Sequence, residues 1–216
     1  MGSMKEVWFW LPDWAVDMAI WEDDLMNVAP QADHTFVPYE SMVSALDDVC
    51  RIPGIEKATT VVGWGLGALA LMKSPGFSGK TCCDWILLSP FADFCDESGE
   101  WTQQNLRFMA KQCLTNPEPS LNTFAEVFEN EFGDWQDDWM ASAKKVNKEL
   151  LSKGLNYLAE TRVVEPVGEG RNVQVVYGRQ DACVLPAQTL KLKSLLPGAS
   201  FKERPKAGHW PPLLLL

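Results

Sequence analysis

At 216 residues the chain is long enough for one compact domain with a full core, or for a core carrying a small insertion. A formal net charge of −10 excludes the basic footprint that nucleic-acid binding requires and disfavours an anionic membrane surface. No apolar run reaches bilayer-spanning length and no secretory leader opens the chain, so a cytoplasmic protein is expected.

Met1-Gly2-Ser3 reads as an appended tag ahead of a start at Met4. Lys5–Trp10 is an apolar burst closed by Leu11-Pro12-Asp13, which predicts a buried strand entering a loop, and Thr35–Pro38 predicts a second brief strand. Glu40–Cys50 has helical apolar spacing and stops before Pro53-Gly54. Ala58–Val62 is a β-branched strand broken by Gly63, with a helix beginning by Ala68. Trp85–Ser89, Val173–Tyr177 and Ser200–Arg204 predict three further strands, and Leu190–Leu195 a helix.

Short apolar strands alternating with helices predict an α/β fold, a mostly parallel sheet of about six strands covered on both faces. Residues 96–162 break that rhythm with helical patterns, many acidic residues and no convincing strand. They are expected to form a helical lid inserted between two parts of the core, residues 4–95 and 163–216.

Six cysteines without ligand spacing and only two histidines predict no metal site, and no cofactor is expected. In a chain without an export signal the thiols are expected to be reduced.

The most informative segment is Gly63-Trp64-Gly65-Leu66-Gly67, where a strand meets a sharp turn and then a helix. The glycines at i and i+4 match a nucleophile elbow, which normally carries serine at its centre and donates an oxyanion hydrogen bond from the next backbone N–H, here that of Leu66. A dinucleotide-binding fingerprint needs a different third spacing. Asp181 follows the strand ending in Tyr177, and His209 lies in the loop after the last strand. Taken singly, such an Asp caps a helix and such a His packs. Together they stand in the order elbow, acid, base, with Asp181 orienting His209 as general base.

Gly63–Gly67 resembles the Gly-Trp-Ser-Leu-Gly elbow of the biotin-pathway esterases that cleave pimeloyl-acyl carrier protein methyl ester, within the α/β-hydrolase superfamily. Leu11-Pro12-Asp13-Trp14 is similar to that family's His-Gly-Trp loop, with Pro12 for the histidine and Asp13 for the glycine. Gly178-x-x-Asp181 and Gly208-His209 match its acid and base loops. The resemblance implies an α/β-hydrolase fold and a Ser-His-Asp carboxylesterase with Trp14 and Leu66 as oxyanion donors. Trp64 and Trp210 are expected to contact substrate. It also implies an acyl carrier protein as the substrate's bearer, for which Arg107, Lys111, Lys144 and Lys148 offer a small cationic patch.

Gly65 departs from that pattern. It carries no nucleophile, and neither Ser89 nor Cys82 or Cys83 lies on the elbow to replace one. Turnover is expected to be absent or severely impaired. Two explanations stand open: an esterase whose serine was exchanged for glycine, which the tag-like start and otherwise complete machinery favour, or a natural pseudo-hydrolase that binds a ligand or protein. A generic small-molecule carboxylesterase differs from the first only in substrate.

Overall fold

The computed structural model describes residues 5–77, 83–131 and 135–216. The tag-like start and Cys82 lie outside them. In chain order the elements are β1 (Val7–Leu11), α1 (Glu22–Leu25), β2 (Asp33–Phe36), α2 (Tyr39–Ser44), β3 (Thr60–Trp64) and α3 (Leu66–Lys73). There follow β4 (Asp84–Leu88), α4 (Gln103–Cys113), α5 (Glu118–Phe128), α6 (Gln136–Ala143) and α7 (Lys148–Glu160). The chain closes with β5 (Val173–Gly178), α8 (Pro186–Lys191), β6 (Ser200–Arg204) and α9 (Pro211–Leu215).

The six strands form one sheet in the order β2-β1-β3-β4-β5-β6, and every neighbouring pair is parallel. The central strands need burial on both faces to use their apolar side chains. In β3 all five residues are buried, and Val61, Val62, Leu87, Leu88 and Val175 are among the best-buried side chains. This is the parallel α/β sheet expected from the strand rhythm, in the α/β-hydrolase fold that the resemblance implies.

Two helices differ from the sequence expectation. The helical run from Glu40 ends at Ser44 and continues as turns to Arg51, because Asp48 bonds back to the N–H of Cys50 and opens a new cap. The helix expected at Leu190–Leu195 begins earlier, at Pro186, where proline has a pre-set φ and no N–H to leave unpaired. The same logic lets Pro211-Pro212 start the short α9.

Residues 96–162 carry α4 to α7, and no strand is described among them. An isolated bridge between Asp93 and Arg162, reinforced by their ion pair, ties the two ends of this stretch together. Helices α4 and α7 pack on each other. Phe124 and Phe128 of α5 reach down onto the loops after β1 and β6, Phe124 packing tilted against Trp14 and Phe128 stacking on His209. Among the described residues no helix is long and apolar enough to cross a membrane.

The carboxylate-filled elbow, a candidate active site

Parallel strands place their C-terminal ends on one edge, where loops from several strands converge. Here the loops after β1, β3, β5 and β6 bring together Asp13, Gly65, Asp181 and His209.

The elbow is tight. Gly65 stands at φ +49° and ψ −109°, a conformation that disfavours side chains. The flanking glycines are required for a different reason: a Cβ on Gly67 would lie 2.5 Å from the Leu11 carbonyl oxygen, and one on Gly63 2.8 Å from Cα of Ala68. Close packing of α3 against β1 and β3 thus depends on them. The first N–H groups of α3 point toward the loop after β1, where the positive end of the helix favours an anion.

An anion is there. Oδ1 of Asp13 accepts hydrogen bonds from the backbone N–H of Trp14 and of Leu66, both at 2.7 Å. These are the two groups expected to hold a substrate oxyanion. Its other oxygen, Oδ2, lies 2.8 Å from Nε2 of His209. A Cβ built on Gly65 would overlap Cγ and both oxygens of Asp13 well inside van der Waals contact. The carboxylate of Asp13 therefore takes the volume a serine side chain at position 65 would need. This corrects two expectations. The oxyanion donors are not free for substrate, and the space where the elbow's nucleophile is expected is taken by a side chain from the opposite loop.

The acid and base lie together at the end of the sheet. Nδ1 of His209 is 2.9 Å from Oδ2 of Asp181, which also accepts from the Ser89 hydroxyl at 2.6 Å. Oδ1 of Asp181 accepts from the N–H groups of Cys183 and Val184 at 3.0 and 2.8 Å. Both side chains are wholly buried. Burial by itself pulls the His209 pKa down, but the charge of Asp181 and the hydrogen bonds and charge of Asp13 outweigh it. The result stands well above the usual 6.5, which favours the protonated ring, with one nitrogen facing Asp181 and the other Asp13.

A fourth group was not anticipated. Glu131, just past α5, accepts from the backbone N–H of His209 at 2.6 Å and of Ala182 at 3.3 Å. Burial and the charge of Asp181 push its pKa up to about 7, against the opposing pull of His209. Nothing in the sequence marked it, since it is one acid among many in an acidic stretch.

The expected pocket residues divide. Trp64 lines an apolar cavity beside Asp13 together with Trp14, Phe94, Phe124, Phe128, Trp139, Leu158 and Cys183. The space left has room for about one water molecule. Trp210 is not among these walls; it is fully buried against Trp21, Trp64 and Phe128. Of the expected cations, Arg107 and Lys111 sit on α4, whereas Lys144 follows α6 and Lys148 begins α7. Arg107 is paired with Glu160 at 3.4 Å, so its charge is already answered. The second histidine, His34, is a packing residue between Trp10 and the Ala29 carbonyl.

No family model matches the sequence, and no curated protein does. Solved structures do match. A hydrolase from Oleispira antarctica superposes with a TM-score of 0.75 at 13% identity, covering 96% of this chain and 85% of that one. An esterase from Exiguobacterium antarcticum gives 0.69 at 15% identity, over 97% and 86%. The enol-lactonase from Burkholderia xenovorans gives 0.69 at 13%, over 96% and 85%. At such identities the likeness establishes a shared fold.

Proposed function

We propose that this chain is an ester-hydrolase derivative that holds a small apolar acyl ligand without cleaving it by a serine mechanism. One observation carries the reading: the Asp13 carboxylate accepts both oxyanion N–H groups and faces Nε2 of His209, in the volume that a side chain at Gly65 would need. Serine catalysis needs an attacking hydroxyl, a neutral imidazole and an empty oxyanion hole. Here the hydroxyl is missing, the imidazole's pKa is raised, which disfavours the neutral base, and the hole is full.

Asp13 and Gly65 are complementary in size, which favours a natural pseudo-hydrolase over an esterase that has merely exchanged its serine. A single exchange leaves the hole vacant; it does not fill it. The ligand class follows from the aromatic walls, which suit an acyl chain and offer no second charge. A pimeloyl ester borne on acyl carrier protein remains the specific candidate, supported by the elbow sequence around Trp64 and Leu66, with Lys111, Lys144 and Lys148 as exposed cations for an acidic partner. Because the cavity is nearly closed, a ligand must displace Phe124 and Phe128 of α5. The unbridged thiols of Cys95, Cys113 and Cys183 support a reducing, cytoplasmic setting.

Thermal shift and hydrolysis are read on the same samples, with methyl hexanoate and with pimeloyl-acyl carrier protein methyl ester. Stabilisation without product, together with no labelling by a fluorophosphonate, is the expected result. Rapid ester turnover by the unaltered chain, or no shift with either ligand, overturns the reading.

A further inference from the structure

The arginines of this chain are matched to acceptors, with one exception. Arg51, Arg107, Arg162 and Arg179 each face a carboxylate, and Arg204 donates to the carbonyls of Leu214 and Leu215 at the end of α9. Arg171 has less. Its Nη2 donates to the Phe77 carbonyl and its Nη1 reaches the sulfur of Cys83 at 3.6 Å, so part of its five-donor fork is unspent. Its guanidinium carbon lies over the rings of Trp85 and Phe77, 4.8 and 5.6 Å from their centres.

The local chain accounts for that placement. Gly168 and Gly170 stand at φ +72° and +73°, the left-handed region, on either side of Glu169. The Arg171 N–H closes the turn on the Gly168 carbonyl at 3.2 Å, just ahead of β5. Arg171 is thereby partly buried beside Trp85, the second residue of β4. Glu169 is exposed, and among the described residues no carboxylate forms an ion pair with Arg171.

A second observation falls on the same spot. Trp85 is 3% exposed, and its indole N–H is one of two buried side-chain groups among the described residues that have no hydrogen-bond partner. A buried donor without an acceptor is costly. Arg171 and Trp85 border one cleft of about 410 Å³, whose other walls include Met72, Phe77, Pro166 and Val167. It lies at the N-terminal ends of β4 and β5, the opposite edge of the sheet from the elbow, so Asp13 and His209 take no part in it.

We infer that this cleft binds a small carboxylate with an apolar body. A carboxylate is the planar acceptor that a guanidinium fork meets with two parallel hydrogen bonds, and its lone pairs also suit the Trp85 N–H. The apolar walls take the body and keep water from the ion pair. A phosphate dianion fits less well, because Arg171 is the one cation lining the cleft, the walls are apolar and the chain carries a net charge of −10. The site goes beyond the acyl-ligand reading of the elbow and stands without it.

The test titrates phenylacetate into the intact nitrogen-15-labelled chain and follows the indole N–H resonances, that of Trp85 assigned through Trp85→Phe. Saturable binding is expected with a Kd of about 1 mM or tighter. The Trp85 N–H should move downfield as it gains an acceptor, while those of Trp14 and Trp64 beside the elbow stay in place. Phenylacetamide, which has the shape without the charge, and acetate, which has the charge without the ring, should each bind at least about tenfold more weakly. Arg171→Gln should weaken phenylacetate by at least about tenfold, and Arg171→Lys by less, since it keeps the charge and loses the fork. The ligand comparisons use the unaltered chain and so decide even where Arg171→Gln does not fold. The inference is overturned by a Trp85 resonance that does not respond, by equal binding of the amide or of acetate, or by undiminished affinity in folded Arg171→Gln. Shifts at Trp14 and Trp64 without one at Trp85 would put the acid in the elbow cavity instead and overturn it too.

Discussion

The two sides of the candidate site have been treated differently. On the acid–base side, Asp181 and His209 hold the distances and buried hydrogen bonds of a working pair, and even Asp181 is braced by three donors. On the nucleophile side, two positions depart together: a glycine stands where the elbow serine is expected, and an acid stands where the oxyanion loop is expected to carry glycine. Each departure makes sense only with the other. Asp13 needs the volume that a Cβ at position 65 would fill, and Gly65 without Asp13 would leave a buried imidazole and two buried N–H groups facing a void. The lesson is that the two loops are matched to each other, with a partly buried carboxylate in the space where the elbow pattern leads one to expect a hydroxyl.

That pairing can be broken from either side. The largest expected effect is in the double reversal Asp13→Gly with Gly65→Ser, which empties the oxyanion hole, lets His209 titrate as a base and supplies a nucleophile. Its hydrolysis of p-nitrophenyl butyrate is expected to exceed that of either single variant by at least about a thousandfold. Equal activity in Gly65→Ser alone would break the claim that the two positions act as a pair.

Next in size is the stability of that single variant. Gly65→Ser forces a side chain into a positive-φ position and into the Asp13 carboxylate, with an expected loss of about 2 kcal/mol, or roughly 4–8 °C in Tm for a chain of this length. Asp13→Gly should recover most of it in the double variant.

A pH series sharpens the electrostatic half. Because folding raises the His209 pKa above 6.5, its contribution to stability is full below that value and is lost as pH rises through the higher folded-state value. Glu131 bends the curve the same way at lower pH: its folded pKa near 7 means stability is lost as pH climbs from about 4.5 to 7. Chemical denaturation between pH 5 and 9 should fall more steeply for the unaltered chain than for Asp13→Asn above pH 6.5, and alike for both if Asp13 does not hold the proton.

The smallest effect lies beside the pair. Ala15 is fully buried at φ +65°, in the left-handed region that favours glycine. Ala15→Gly is expected to gain about 0.5–1 kcal/mol, roughly 1–4 °C, despite the added freedom of the unfolded chain.

Much of the fold was legible from residue patterns, because runs such as Val61–Val62 and Trp85–Leu88 are uniformly apolar and a parallel sheet demands that. Asp181 and His209 were legible because each follows a strand in the expected order. The Asp13 carboxylate was not read, although its two signals were present: an acid at a loop position expected to be glycine, and a glycine at an elbow position expected to be serine. Neither signal is sufficient alone, and only three-dimensional contact across 53 positions of sequence shows that one fills the space of the other. Glu131 left no local signal at all, since its role comes from the backbone N–H groups of distant loops. Trp210 misled for the opposite reason, as its place beside the base implied exposure to ligand, whereas packing with Trp21 and Phe128 takes it into the core.

The occupation of the elbow by Asp13 is tested most directly by nitrogen-15 NMR of the imidazole rings. Only two histidines exist, and His34 serves as its own reference. At pH 7.5 His209 should show both ring nitrogens protonated, with a low-field Nε2 proton that disappears in Asp13→Gly. A neutral His209 ring at that pH, unchanged by the substitution, would mean that the carboxylate does not sit where the nucleophile belongs.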